Sequence, residues 1–586
     1  MSIDVLLLAN IKITNWLTPV WILSVGVSLG FLITLLLLGV VAVFQRVKPV
    51  NGIGESPTNF LIAGSVTSTL IFIATLFYVR WQNSGDLSLG GHAGLAYGFM
   101  LVFSLIVGFG FWSLVSKKMA GEMKDLLFDG FLLWVGRLSV GLLCFALLGW
   151  GLDRVNGFGI VNIVNDSNGM LESLVRIPVL GRFEQQFVVE PSQFDSVGSK
   201  QEFPINGAEL VEISILSDRR LEVAGQEITN DLMPGDFIAV EPSEDLPTLF
   251  NQRKEGGPIP QTEIEYLYVK NLGRTDANVK ISYLLAPIYR EMQLVPVMAM
   301  IVVGIYFGFL FFTALCPKIA AIAFSTFKTE IGQPLFWLVT AGAIVFLLAT
   351  VFVPYNTFGE DIKMYTDSGL NLLRVAAIFM AVWGASKSVA EEIEGRTSLT
   401  VLSKPVGRRQ FLLGKFAGIS LALALLFFIA GLWFYLWVSF KPIYDYQEAS
   451  KGLAEWTVCY EEAVSILPGI FLCFLEVVIF VAISIAISTR LGILANFLIC
   501  FSIYVIGHLT PQLVQSSYGA FETVAVFAQL VAVIFPVLDH FDVQAAINNN
   551  TGVPLSYLGW SVLYTFMYGS IAMLVALVLF EDRDLA

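Results

Sequence analysis

The sequence predicts a polytopic α-helical membrane protein of about eleven transmembrane helices, with a mostly-β domain inserted among them. Two observations carry this reading. Of the 586 residues, 56% are hydrophobic and only 14% are charged, whereas soluble domains hold about 25% charged and about 45–50% apolar residues. The apolar residues also gather into runs of about twenty, the length a helix needs to cross a hydrocarbon core of roughly 30 Å. Between 151 and 289 those runs vanish. A net charge of −13 argues against a nucleic-acid partner, which calls for a basic stripe. The five cysteines show no CxxC spacing, which argues against a zinc site or a disulfide framework.

The N-terminal membrane region, 1–150, holds four runs: Val20–Phe44, Phe60–Val79, Ala93–Val115 and Phe131–Trp150. The first has no basic stretch before it and is too long for the apolar part of a signal peptide. From 151 to 289 acids outnumber bases roughly two to one, and the apolar period becomes two. Val211, Ile213 and Ile215 form one apolar row, and Val279, Ile281 and Tyr283 another. With turn clusters at Met233–Asp236 and Lys270–Asp276, this reads as an antiparallel, sandwich-like domain. A span at 290–316 follows, containing Leu294–Leu315. Six more runs then appear: Leu335–Val353, Leu370–Ser388, Phe411–Phe440, Ile466–Ile487, Leu491–Gly507 and Leu558–Phe580.

Orientation follows from lysine and arginine in the short loops. Alternate loops hold Arg46 and Lys48; Lys117, Lys118 and Lys124; Lys318 and Lys328; Lys404, Arg408 and Arg409; Arg490; and Arg583. Lys363, Lys441 and Lys451 are the exceptions. The basic loops and the C-terminus are expected in the cytoplasm of a cell-membrane protein, with the N-terminus and the β domain outside. Ala520–Leu538 is long enough to span, but Glu522, Gln529 and Pro536 interrupt it, so it is read as external or re-entrant.

The most informative stretch is Glu391–Phe416, EEIEGRTSLTVLSKPVGRRQFLLGKF. A charged helical piece leads to Ser403-Lys404-Pro405, where proline ends a helix, and the basic pair Arg408 and Arg409 precedes the next span. Upstream lies PKIAAIAFSTFKTEIGQP at 317–334, with Ala320, Phe324, Phe327 and Ile331 on one helical face, the pattern of an interfacial amphipathic helix. Arg490 sits in a short hairpin, and the last span ends in Phe580-Glu581-Asp582-Arg583-Asp584-Leu585. Taken in order, these features over 317–586 resemble the permease subunit of type-2 ABC exporters, which has an elbow helix, six spans and a cytoplasmic connector, here 389–410. The sequence departs from the family at Gly395-Arg396-Thr397, and residues 1–316 lie outside the family's minimal unit.

The resemblance implies a bacterial exporter subunit of the inner membrane, paired with a second copy or a homologous permease. A separate ABC ATPase, holding the ATP and Mg²⁺, would be its cytoplasmic partner. The connector residues implied to meet that ATPase are Glu391, Glu392, Glu394, Arg396, Thr397, Ser403, Lys404, Pro405, Arg408 and Arg409. The chain itself is expected to be no enzyme and to hold no cofactor. Its nearest approach to a phosphate loop, Gly407–Phe416, spaces its glycines wrongly, puts Phe416 where a hydroxyl is needed and enters a span. Glu476, a charge inside a span, is either a pathway group or an interhelical contact. Arg137 is read the same way, and Arg374 and Lys387 as side chains snorkelling from the ends of their span. His92, His508 and His540 fall at span ends or in external loops, without metal-ligand spacing. Tyr444–Glu462 is expected as an external loop. A membrane scaffold or sensor, whose β domain binds an external partner, is the alternative function.

Overall fold

The computed structural model describes residues 14–46, 57–82, 93–115, 127–154, 166–176, 181–192, 198–228, 237–243, 247–251, 259–260, 262–353, 355, 360–390, 407–452, 454–517, 522–549 and 552–581. Among these, ten helices are long and apolar enough to cross a bilayer, so the chain is a multi-pass helical membrane protein. The chain divides into a membrane unit, residues 1–164 with 298–586, and a second unit, 165–297.

In the membrane unit the first helices are α1 (Leu17–Arg46), α2 (Pro57–Gln82), α3 (Ala93–Val115) and α4 (Phe131–Arg154). The expected span 93–115 is α3, a 23-residue helix. The Trp21 indole on α1 donates to the Ala146 carbonyl of α4 at 3.0 Å, which satisfies a polar tip that lipid cannot. Arg137 is exposed nearly two turns into α4, and its guanidinium lies 5.1 Å from the Trp134 ring.

The 165–297 unit opens with α5 (Ser167–Arg176), a helix the periodicity did not predict. Eight strands follow: β1 (Arg182–Val189), β2 (Ser199–Asn206), β3 (Leu210–Ser217), β4 (Leu221–Ala224), β5 (Ile238–Val240), β6 (Thr248–Asn251), β7 (Glu263–Asn271) and β8 (Ala277–Leu285). They form two antiparallel four-stranded sheets, ordered β1-β8-β3-β6 and β2-β7-β4-β5. The expected rows Val211, Ile213, Ile215 and Val279, Ile281, Tyr283 are buried on adjacent paired strands, as period-two burial requires. Buried Asn271 fixes the β7–β8 turn, with its amide nitrogen on the Val189 and Thr275 carbonyls and its oxygen accepting from Gly273 N–H. The expected turn at Met233–Asp236 lies outside the described residues.

The rest of the membrane unit contains α6 (Leu294–Leu315), α7 (Pro317–Ile331), α8 (Pro334–Val351), α9 (Asp361–Ala385), α10 (Arg408–Glu448), α11 (Trp456–Ser488), α12 (Ile493–Ser517), α13 (Glu522–Ile534), α14 (Gln544–Asn548) and α15 (Leu555–Glu581). α13 has 13 residues, about 20 Å of rise and short of the hydrocarbon thickness. α10 runs 41 residues and α11 runs 33, so both overshoot a bilayer. Most of the expected loop Tyr444–Glu462 is therefore helix; only the stretch around 449–455 connects α10 to α11.

The expected helix over 317–334 is corrected at its end. α7 stops at Ile331, and Pro334 opens α8 after a turn at Gly332-Gln333. Its expected face is corrected too. Ala320 and Phe327 are buried, but Phe324 and Ile331 are only half-buried, and Ala323, Thr326 and Glu330 complete the buried side. The reason lies in α10, where Gly414 and Gly418 stand four residues apart. A Cβ on Gly414 would meet Ile322 Cβ at 2.6 Å, and one on Gly418 would meet Ala323 O and Thr326 Cβ at 2.6 Å. Small residues at this spacing let two helix backbones approach closely, so short Ala323 and Thr326 turn inward and Phe324 moves to the rim. There the Lys328 ammonium lies 4.5 Å from the Phe324 ring and pairs with Asp129.

Gly418→Val should therefore overpack the α7–α10 contact, costing about 1–3 kcal/mol. Gly304→Ala, where nothing lies within 4 Å of the new Cβ, should be neutral or slightly stabilising. Thermal unfolding midpoints in detergent compare the two. In the 165–297 unit, the Tyr289 hydroxyl donates to Asp166 Oδ2 at 2.7 Å. Burial first, then Asp166, pushes its ionisation up to about 12. Because the folded state ionises later than the unfolded one, this contribution to stability is present below pH 10 and is lost as pH rises to about 12. Asp166→Asn should move the Tyr289 ionisation back toward 10, read as a difference in tyrosinate absorbance from wild type.

Candidate functional site

The centre of the membrane unit holds a charged cluster contributed by three helices. Arg374 on α9 is 3% exposed and Glu476 on α11 is fully buried; Arg374 Nε lies 3.0 Å from Glu476 Oε2. Arg374 Nη1 also donates to Asn371 Oδ1 at 3.2 Å, and Nη2 lies 3.7 Å from Cys473 Sγ. Asn371 in turn donates to Asp367 Oδ1 at 3.1 Å. His508 on α12 completes the group, its Nε2 3.4 Å from Arg374 Nη1 and 3.8 Å from Glu476 Oε1. With Nδ1 3.1 Å from the Tyr504 carbonyl, the neutral imidazole carries its proton on Nδ1 and presents a lone pair to the guanidinium.

Glu476 is thus an interhelical ion-pair partner, and two expectations change around it. Arg374 does not snorkel; the opposite charge across the interface holds it at mid-helix, since a charge in hydrocarbon costs at least about 2.5 kcal/mol. His508, expected at a span end or in an external loop, lies inside α12, facing that pair.

A second polar contact joins α12 to the turn that follows α9, twelve residues after Arg374 and twelve before His508, where Asn496 Nδ2 reaches Ser386 Oγ at 2.8 Å. The two contacts are about 18 Å apart on an antiparallel helix pair. Between them runs an apolar groove lined by Val375, Phe379, Phe497, Cys500, Phe501 and Tyr504 among others.

At the other end of α9, Lys441 on α10 is fully buried. Its ammonium donates to the Val351 carbonyl at the end of α8 and pairs with Asp445, both at 2.9 Å. A cation there complements the helix C-terminus. The Lys441 exception to the loop-charge pattern is therefore a buried structural lysine and says nothing about orientation. Asp361, Asp445 and Glu448 bring carboxylate oxygens within 4.8 Å of one another beside it.

Of the connector residues, Glu391, Glu392, Glu394, Arg396, Thr397, Ser403, Lys404 and Pro405 lie outside the described residues. Arg408 and Arg409 open α10. Arg409 is exposed, while Arg408 Nη1 donates to the Glu581 carbonyl at 2.8 Å, capping the end of α15. Phe411 stacks on Phe580 beside it, with centroids 6.0 Å apart. Lys387 is half-buried, 6.0 Å from the Trp383 ring. Gly407 is the N-cap of α10.

Sequence reasoning missed Arg374 as a partner, His508, Lys441, Asn496 and the Gly414/Gly418 contact. The signals were present: two opposite charges inside separate spans, an asparagine in an apolar run, and glycines at a four-residue spacing.

No family model matches the chain, and no curated protein matches it in sequence.

Removing one member of the ion pair should strand the other in a dry interior, at about 3–5 kcal/mol. Glu476→Gln and Arg374→Gln should each lower the thermal unfolding midpoint strongly. The double variant Arg374→Leu/Glu476→Leu should recover most of that loss, because two matched apolar groups need no partner. Additive losses in the double variant would contradict the pairing.

Proposed function

We propose that this chain is the membrane-spanning permease subunit of an ABC exporter, worked from the cytoplasmic face by a separate ATPase. The ordered features over 317–586 motivate the reading. The observation that carries it is the clasp between α7 and the first turns of α10, built on Gly414 and Gly418. α10 begins where the connector ends, and the clasp binds it to α7, which leads directly into α8. Arg408 adds α15 through the Glu581 carbonyl. A force on the connector is thereby delivered to several spans at once rather than absorbed by one helix end.

In this mechanism the acidic connector residues Glu391, Glu392 and Glu394 meet a complementary groove on the ATPase, where rim charges set register and association rate. ATP-driven closure of two ATPase subunits brings two connectors together. The spans then move as rigid bodies between inward and outward states. Two permease copies, or this chain and a homologue, frame one pathway. The interhelical ion pair keeps α9 and α11 together during that movement.

Solubilised chain from its native membrane should carry a nucleotide-binding subunit at equal stoichiometry. Reversing Glu391, Glu392 and Glu394 to Lys should remove that subunit, or its coupling to ATP, while leaving the thermal midpoint unchanged. A preparation with no nucleotide-binding subunit and no ATP-dependent change would favour a scaffold.

A further inference from the structure

The connector end of α9 is not an ordinary helix end. Ser386–Ala390 is π-helical, a turn holding one residue more than an α-helix and frequent at functional sites. Polar contacts bracket it. On one side the Trp383 indole donates to Gln333 Oε1 at 3.0 Å, and Gln333 Nε2 donates to Glu330 Oε2 at 3.3 Å. Glu330 is 2% exposed, and a Cβ on Gly384 would stand 3.0 Å from its Oε2. On the other side lies Asn496, fully buried on α12. Its Nδ2 is 2.8 Å from Ser386 Oγ, 2.7 Å from Ser484 Oγ and 2.8 Å from Ser488 Oγ. Cys500 Sγ donates to its Oδ1 at 3.3 Å.

An amide nitrogen has two hydrogens, and three hydroxyls converge on it here. The amide can therefore trade one hydroxyl for another without being left bare, which a polar group in a dry membrane interior cannot tolerate. Ser386 belongs to the π turn, Ser484 and Ser488 to the end of α11, and Asn496 to the start of α12. One side chain thus joins the turn to both arms of the 489–492 hairpin.

We propose that the Ser386–Ala390 turn is a hinge and that Asn496 is the positioning residue carrying its movement to the α11–α12 hairpin. The proposal rests on the connector reading, because the turn immediately precedes residue 391. When the connector is pulled, the turn gives up its extra residue and winds as α-helix. One residue of rewinding turns the helix by about 100° and moves it by about 1.5 Å along its axis. Ser386 swings with it and either draws Asn496 along or passes the amide hydrogen to Ser484 and Ser488.

Hydrogen exchange on the full chain in nanodiscs tests this without the ATPase. Gly384→Ala nudges the turn from its Glu330 side, and deletion of Ser388 removes the extra residue outright. Either change should alter exchange in residues 488–496 by about threefold, the factor expected for one interhelical hydrogen bond in a membrane protein. In a Ser386→Ala background, where Asn496 keeps Ser484 and Ser488, the same changes should leave 488–496 untouched. Exchange that is unaltered with Ser386 present, or altered equally without it, overturns the hinge. If the Ser388 deletion fails to fold, the Gly384→Ala pair decides alone. A negative result in a chain that co-purifies with an ATPase discards only the hinge, whereas a positive result in a chain that co-purifies with none discards only the exporter reading.

Discussion

A guanidinium and a carboxylate cannot stand apart inside a hydrocarbon layer, and the membrane unit is organised around that constraint. Arg374 and Glu476 lie on different helices, each almost wholly buried. Neither helix reaches a tolerable state until the other is in place. The pair therefore specifies which faces of α9 and α11 meet. Asn371, Cys473 and His508 lie against the two terminal nitrogens of the guanidinium. Apolar packing alone specifies little here, because lipid tails are as apolar as leucine. Polar contacts such as Asn496 with its serines, and close contacts such as Gly414 and Gly418 on α7, supply the selectivity.

How legible this was in the sequence depended on the kind of signal. Helix positions were plain, since a run of about twenty apolar residues has few other uses. The β unit was equally plain, because the rows through Ile213 and Ile281 alternate with polar residues and become paired strands. Partner choice was harder. Nothing local in Leu370–Ser388 says that Arg374 faces Glu476, about a hundred residues away, so an arginine near the start of that run reads as a side chain snorkelling to the interface. The face of α7 was misjudged for a related reason. Amphipathic spacing favoured Phe324 and Ile331, but the shape of α10 favoured Ala323 and Thr326. Lys441 looked like a loop charge because hydropathy ended the span at Phe440, whereas the helix continues to Glu448.

The connector end concentrates the unusual features of the fold. The π turn at Ser386–Ala390, the close α7–α10 contact and the Arg408 cap on α15 all gather around the segment between α9 and α10. A plain solvated loop needs none of these. Together they tie the two ends of that segment to α7, α12 and α15. The opposite end is built differently, with Lys441 and its carboxylate neighbours fixing the ends of α8 and α10.

The account stands or falls on which side of the bilayer the connector faces. Replacing Glu394 with cysteine, in a chain whose five native cysteines are changed to serine or alanine, allows a membrane-impermeant maleimide to report this. Labelling in inside-out vesicles but not in intact cells is the predicted result, since only the cytoplasm holds ATP for a motor subunit. Labelling in intact cells would put residues 391–406 beyond the reach of any such motor and contradict the account.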